Sequence, residues 1–193
     1  MTLTLVRHGE TEWSRSRRHT GRTDVPLDED GMRQAKLLRQ RLEGHHFGAV
    51  FTSPLARAQE TCRLAGFGDS AEPREELVEW DYGDYEGMTA AAIHERRPDW
   101  QLWRDGCPGG ENADLVGERV DRLLAELRPL EQDAVLFAHG HVLRVLAARW
   151  IDLPPQDGGH LTLSTAAVSV LGFERGLAAI ELWNDRSHLS RPW

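Results

Sequence analysis

Three short stretches of this chain put arginine or histidine where an apolar run ends. "LTLVRHG" delivers Arg7, His8 and Gly9 straight after Leu3, Leu5 and Val6. "VFTSPLAR" leads from a second apolar run to Arg57, and "AVLFAHGH" ends a third with His139, Gly140 and His141. A buried strand has no use for such groups; an oxyanion does. Two guanidiniums grip a phosphoryl group through planar, bidentate donors and stay charged. They also stabilise its equatorial oxygens during transfer. A neutral imidazole between them can attack phosphorus and carry the phosphoryl group covalently. A second imidazole, if protonated, adds a donor, while Gly9 and Gly140 let the backbone approach the anion. The arginines already supply the positive charge, and His139 and His141 find no third ligand at useful spacing. No metal and no cofactor is expected.

An acid must still protonate the departing alkoxide, and it must come from another loop. "LVEWDYGDYEG" offers Glu79, Asp81, Asp84 and Glu86, and spacing alone does not choose among them.

The elements that must hold these residues read as alternating strands and helices. Leu3–Val6, Ala49–Phe51 and Ala134–Ala138 are short apolar runs. From Asp28, apolar residues recur at helical spacing as Met32, Ala35, Leu38 and Leu42. Ser53 and Pro54 read as the N-cap and first position of a helix carrying Leu55, Ala58, Cys62 and Ala65 on one face. Residues 89–100 predict a helix that stops before Pro98, and Val116, Val120, Leu123 and Leu127 mark a longer one ending before Pro129. The stretch after Ala138 is helical by pattern, and 166–173 and 177–183 read as late strands joined by "ERG". Alternation of this kind predicts an α/β fold, a three-layer αβα sandwich with a mostly parallel central sheet. Ligands in such folds bind beyond the carboxyl ends of the strands. If the three strands are neighbours, their arginines and histidines converge.

Bulk properties set the frame. The chain has 193 residues, 40% of them hydrophobic and 28% charged, and is expected to form one domain over residues 1–193 with a loose tail from about 185. A net charge of −8 argues against nucleic acid as a partner. No apolar run approaches the ~20 residues of a membrane span, and Thr2–Val6 runs into Arg7-His8 without a leader-like core. Cys62 and Cys107 make no disulfide framework, though Cys107, in "DGCPGGE", reads as an exposed loop residue. A cytoplasmic location, with no membrane partner, is expected.

At this point a resemblance is plain. "LVRHGET" resembles the signature of the histidine phosphatase superfamily, with its phosphoglycerate-mutase-like fold. "HTGRTDVPLDEDG" is similar to the family's substrate loop and following helix, "TSPLARAQET" to its second-arginine motif, and "FAHGH" to its second-histidine motif. The resemblance implies that His8 is the phosphorylated nucleophile, that Arg7, Arg57 and His139 form the phosphate pocket, and that Glu79 is the proton donor. It also implies that Thr20 and Gly21 lie beside the substrate. Tyr82 and Gly140 are further candidate substrate contacts, and His141 either contacts substrate or simply starts a helix. Many mutases carry asparagine where this chain has Ser14, whose hydroxyl can still donate to phosphate over a shorter reach.

"EWDYGDYEGMT", "WRDGCPGGE" and "FAHGH" look like the branch that holds sedoheptulose-1,7-bisphosphatases and acid phosphatases. Cofactor-dependent mutases place a longer, basic insertion between acid and second histidine. Here only Met88 to Ala138 intervenes, without a lysine. The resemblance therefore implies that water accepts the phosphoryl group from a small phosphorylated substrate. The rivals are a phosphoglycerate mutase and a non-catalytic phospholigand-binding domain. Arg15, Arg17, Arg18 and Arg22 cluster beside the first motif and suit a second phosphate, as in a sugar bisphosphate, or simply a solvated loop. Family members commonly form homodimers, which the sequence itself leaves open.

Overall fold

Val6, Val50, Val135, Phe137 and Val168 meet on one face of a central sheet, while Leu3, Leu5, Leu136 and Leu171 meet on the other. Successive strand residues point to opposite faces, so this division means both faces are covered. The computed structural model describes residues 1–189. In chain order the elements are β1 (Leu3–Arg7), α1 (Glu12–Arg15), α2 (Glu29–Leu42), β2 (Ala49–Thr52), α3 (Ala56–Leu64), β3 (Ala71–Pro73), α4 (Ala90–His94), α5 (Leu102–Asp105), α6 (Ala113–Leu127), β4 (Ala134–Ala138), α7 (Gly140–Trp150), β5 (Val168–Glu174) and β6 (Leu177–Asp185).

The 6-stranded sheet runs β3-β2-β4-β1-β5-β6. The pairs β2–β3, β2–β4 and β1–β4 are parallel. β5 is antiparallel to both β1 and β6, so it alone runs against the rest. Leu42, Leu38 and Cys62 of α2 and α3 cover the valine face; Val120, Leu123, Val142 and Leu146 of α6 and α7 cover the leucine face. This is the three-layer arrangement the alternating pattern predicts. β4 lies between β1 and β2, which brings the ends of the three apolar runs side by side. Among the described residues no helix is long and apolar enough to cross a membrane.

Several local expectations are corrected. α3 does not start on a Ser53 cap: Leu55 occupies the N-cap position without a side-chain bond, and Asp24 Oδ1 accepts from the Ala56 N–H at 2.9 Å instead. Met32 is 38% exposed, and Gly31 takes its place on the buried face of α2. A Cβ at Gly31 would stand 2.0 Å from the Glu10 carbonyl oxygen, so α2 packs against the loop after β1 only because that residue is glycine. The helix expected over 89–100 keeps only Ala90–His94, capped by Thr89 Oγ1 on the Ala92 N–H at 3.2 Å. Arg97 precedes a proline, which disfavours helix, and the Trp100 indole N–H donates instead to the Gly106 carbonyl at 2.8 Å. β3 was not apparent in the sequence; its three residues, Ala71, Glu72 and Pro73, pair only with β2. Asp185, where the loose tail was expected to begin, closes β6 and pairs with Arg41 at 3.0 Å. Ser187–Leu189 form a single 3-10 turn, and the tail's remainder, residues 190–193, lies outside the described residues. Cys107 is buried, not exposed, and burial pushes its thiol, like that of Cys62, up to about 12.

Candidate active site

His8 follows the last residue of β1 and is 4% exposed. Its backbone N–H donates to the Ala138 carbonyl at 2.9 Å, which ties the end of β1 to the end of β4. Its ring Nδ1 lies 2.7 Å from the Gly9 carbonyl oxygen. A carbonyl only accepts, so Nδ1 carries the proton and Nε2 keeps a free lone pair. Burial, then the charges of Arg7 and Arg57, hold the His8 imidazole well below its ordinary value, so it is neutral at pH 7.

Arg7 donates from Nη1 to the Leu163 carbonyl at 2.5 Å, while its buried Nε–H has no partner among the described residues. A buried charged donor without an acceptor is costly unless an anion completes it. Gly140 sits against this guanidinium; a Cβ there would approach Arg7 Cζ and Nε to 3.3 Å. Gly140 thus makes room for Arg7, and Gly9 for the Gly31 backbone, whose oxygen a Cβ would meet at 2.5 Å.

Arg57, fully buried on α3, donates from Nε to His139 Nδ1 at 3.1 Å. Its other nitrogens donate to the carbonyls of Thr20, Gly21 and Thr23 at 2.9–3.1 Å. Because guanidinium only donates, His139 Nδ1 must accept, and Nε2–H donates to Ser53 Oγ at 2.8 Å. Burial and the charge of Arg57 hold His139 well below the usual histidine range. The protonated second imidazole considered from the sequence is therefore disfavoured. The His139 ring lies 5.2 Å from that of His8 but, unlike His8, does not line the cavity.

Of the four acids in 77–87, the structure brings one to His8. Glu79 lines the same cavity of about 460 Å³. Its Oε1 accepts from the Trp80 and Val142 N–H groups at 3.0 and 2.9 Å, and its Oε2 from His141 N–H at 3.0 Å. The last two donors lie in the first turn of α7. Asp81 pairs with Arg22 at 2.7 Å, and Glu86 accepts from Gly21 and Thr23 N–H groups. Asp84 sits beside Gly109, away from the cavity.

The remaining sequence candidates divide. Ser14, Thr20, Tyr82, Gly140 and His141 line the cavity. The Ser14 hydroxyl, however, donates to Glu10 Oε1 and accepts from Thr11 N–H, closing a capping box rather than pointing freely at an anion. Gly21 stands behind the wall, and a Cβ on it would meet Glu86 Oε2 at 2.6 Å. Tyr82 Oη and His141 Nδ1 share a hydrogen bond of 2.6 Å, and burial together with Glu79 pushes the phenol well above its ordinary value. The sequence reading missed Arg144, which reaches the wall one helical turn beyond Gly140 and His141. Its i+3 spacing from His141 was the available signal.

A family model described as histidine phosphatase superfamily (branch 1) matches residues 3–186. An acid phosphatase of Mycobacterium tuberculosis is 40% identical over 190 residues, covering 96% of this chain and 93% of that protein. A sedoheptulose 1,7-bisphosphatase of Saccharomyces cerevisiae is 38% identical over 186 residues, covering 79% of this chain and 68% of that one. The solved structure of an open-reading-frame product from Mycobacterium tuberculosis superposes with a TM-score of 0.90 at 38% identity, over 95% of this chain and 96% of that chain. Strand ends, buried arginines and sequence agree, and the chain belongs to the histidine phosphatase superfamily as a phosphatase.

Proposed function

We propose that this enzyme hydrolyses small phosphomonoesters through a phosphohistidine at His8, without a metal. The observation that carries the reading is the fixed tautomer of His8: the bond to the Gly9 carbonyl leaves Nε2 free, in a residue that lines the same cavity as Arg7 with its unpartnered Nε–H. The substrate phosphate accepts from Arg7, and the positive charge of Arg7 and Arg57 stabilises its oxygens as charge redistributes. His8 Nε2 bonds to phosphorus while the ester P–O bond breaks, and Glu79 gives its proton to the departing oxygen. Glu79, now a carboxylate, takes a proton from water; the water oxygen bonds to phosphorus and the N–P bond breaks. Phosphate leaves with His8 and Glu79 restored. Names among the relatives make a sugar bisphosphate the first substrate to try.

Phosphate release without added metal, from sugar bisphosphates, phosphoglycerates and p-nitrophenyl phosphate, tests the reading, with His8→Ala as blank. The expected outcome is turnover and an acid-labile phosphoenzyme in the wild type and neither in the variant. Activity near wild type in His8→Ala sinks the nucleophile assignment. Strong stimulation by 2,3-bisphosphoglycerate, with phosphate returned to a glycerate hydroxyl, would mark a mutase instead.

A further inference from the structure

The arginine cluster beside the first motif splits into two kinds. Arg15 is bound to Asp28 and Asp30, and Arg22 to Asp81, each at 2.7 Å. Arg17 and Arg18 make no ion pair and no side-chain hydrogen bond among the described residues, and both line the cavity that holds His8. Arg144 lines it too. Its Nε and Nη2 donate to the Gly158 and Gly159 carbonyls at 3.0 Å, and its guanidinium stacks 4.6 Å over Trp103. Among the described residues no carboxylate bonds to it, and burial pushes it down to about 10. Glu79 is the one acid on the wall among the described residues. A chain of net charge −8 thus presents three unpaired cations beyond Arg7 in a single cavity.

The backbone at Arg17 is a second, independent observation. α1 ends in a Schellman motif: the Arg17 N–H donates to the Ser14 carbonyl at 3.2 Å and the Arg18 N–H to the Trp13 carbonyl at 2.9 Å. In that motif the residue after the C-cap is left-handed and is usually glycine. Here it is arginine, at φ 57°. Among the described residues, of the five non-glycine positions at positive φ, only Arg17 lines the cavity, so the chain keeps a long cationic side chain there where the motif favours glycine. His19 then holds the turn in place, with its N–H donating to the Met88 carbonyl at 2.9 Å.

We propose that Arg17 and Arg18, with Arg144 on the same cavity wall, form a second anion subsite that holds a phosphate at the far end of a bisphosphorylated substrate. The proposal rests on the phosphomonoesterase reading and names the substrate class of that site. A volume of about 460 Å³ is within the range of small-molecule sites and several times a lone phosphate.

Calorimetric titration of His8→Ala with fructose 1,6-bisphosphate and fructose 6-phosphate tests it, since neither ligand is consumed. The bisphosphate should bind at least tenfold more tightly, with an advantage that shrinks as salt rises. Adding Arg17→Gly and Arg18→Ser should bring the two affinities together. The glycine relieves the left-handed residue, so the variant is expected to fold at least as well, checked by its melting temperature. Equal affinities in the parent, no measurable binding, or an advantage that survives both substitutions overturns the subsite. An advantage that is lost as expected, in a protein whose wild type releases no phosphate, upholds the subsite and defeats the hydrolase reading.

Discussion

Arg57 Nε donates to His139 Nδ1 at 3.1 Å, making one unit of two basic residues 82 positions apart. The same guanidinium holds the carbonyls of Thr20, Gly21 and Thr23. A lysine has one ammonium and no fork, so it cannot serve both partners. Arg57→Lys should lower kcat/KM on p-nitrophenyl phosphate on the order of 100-fold, comparable to loss of an oxyanion donor. Steady-state kinetics check this; activity within threefold of wild type would separate Arg57 from the phosphate.

His8 and His139 are buried and held neutral, each well below the ordinary histidine value. The unfolded chain titrates near 6.5, so below that pH it binds protons that the folded protein refuses. Stability from this source is complete above about 6.5 and falls as pH drops, by about 1.4 kcal/mol per pH unit for each histidine. Urea unfolding at pH 7.5 and 5.5 should show the loss. NMR titration should find no transition of either ring between pH 6 and 7.5. A ring that titrates near 6.5 contradicts the neutral nucleophile.

Glu79→Gln keeps an oxygen for the Trp80 and Val142 N–H groups, so the fold should hold. It removes the transferable proton. An alkyl phosphate, whose alkoxide is a poor leaving group, should lose roughly 100-fold or more in rate. p-Nitrophenyl phosphate needs less protonation and should lose clearly less in the phosphoryl-transfer step. Equal losses on both esters, measured in single turnovers, would remove Glu79 as the proton donor.

Two glycines should fail differently. Alanine at Gly31 drives a Cβ to 2.0 Å from a backbone oxygen of Glu10. Neither main chain can yield, and the variant should lose about 1–3 kcal/mol of stability. Alanine at Gly140 meets Arg7 at 3.3 Å, tight but against a side chain. Gly140→Ala should melt near wild type while its KM rises several-fold. Thermal unfolding and kinetics on the two proteins distinguish them.

The strand ends were legible because Arg7-His8 and His139 break apolar runs abruptly, and β4 is apolar throughout. The covering helices were legible from periodicity, as with Val116, Val120, Leu123 and Leu127 on α6. What escaped depends on partners distant in sequence. No local rule says that Asp24 caps α3, leaving Ser53 for His139. The division of the arginine cluster was equally hidden, because it is set by where Asp28, Asp30 and Asp81 come to lie. β3 escaped for another reason: Glu72 and Pro73 carry no strand pattern, and pairing with β2 alone makes them a strand.

The segment from His19 to Asp24 is fastened through its backbone by Met88, Glu86 and Arg57, and through the Asp24 side chain by the start of α3. Its neighbours Arg17 and Arg18 are fastened by backbone alone, with side chains left over. Inheritance can therefore rewrite those side chains without moving the phosphate grip. On the proposed chemistry, one scaffold can drift among leaving groups while phosphoryl transfer stands still, so new specificities should arise by exchange at Arg17 and Arg18 before any change at His8.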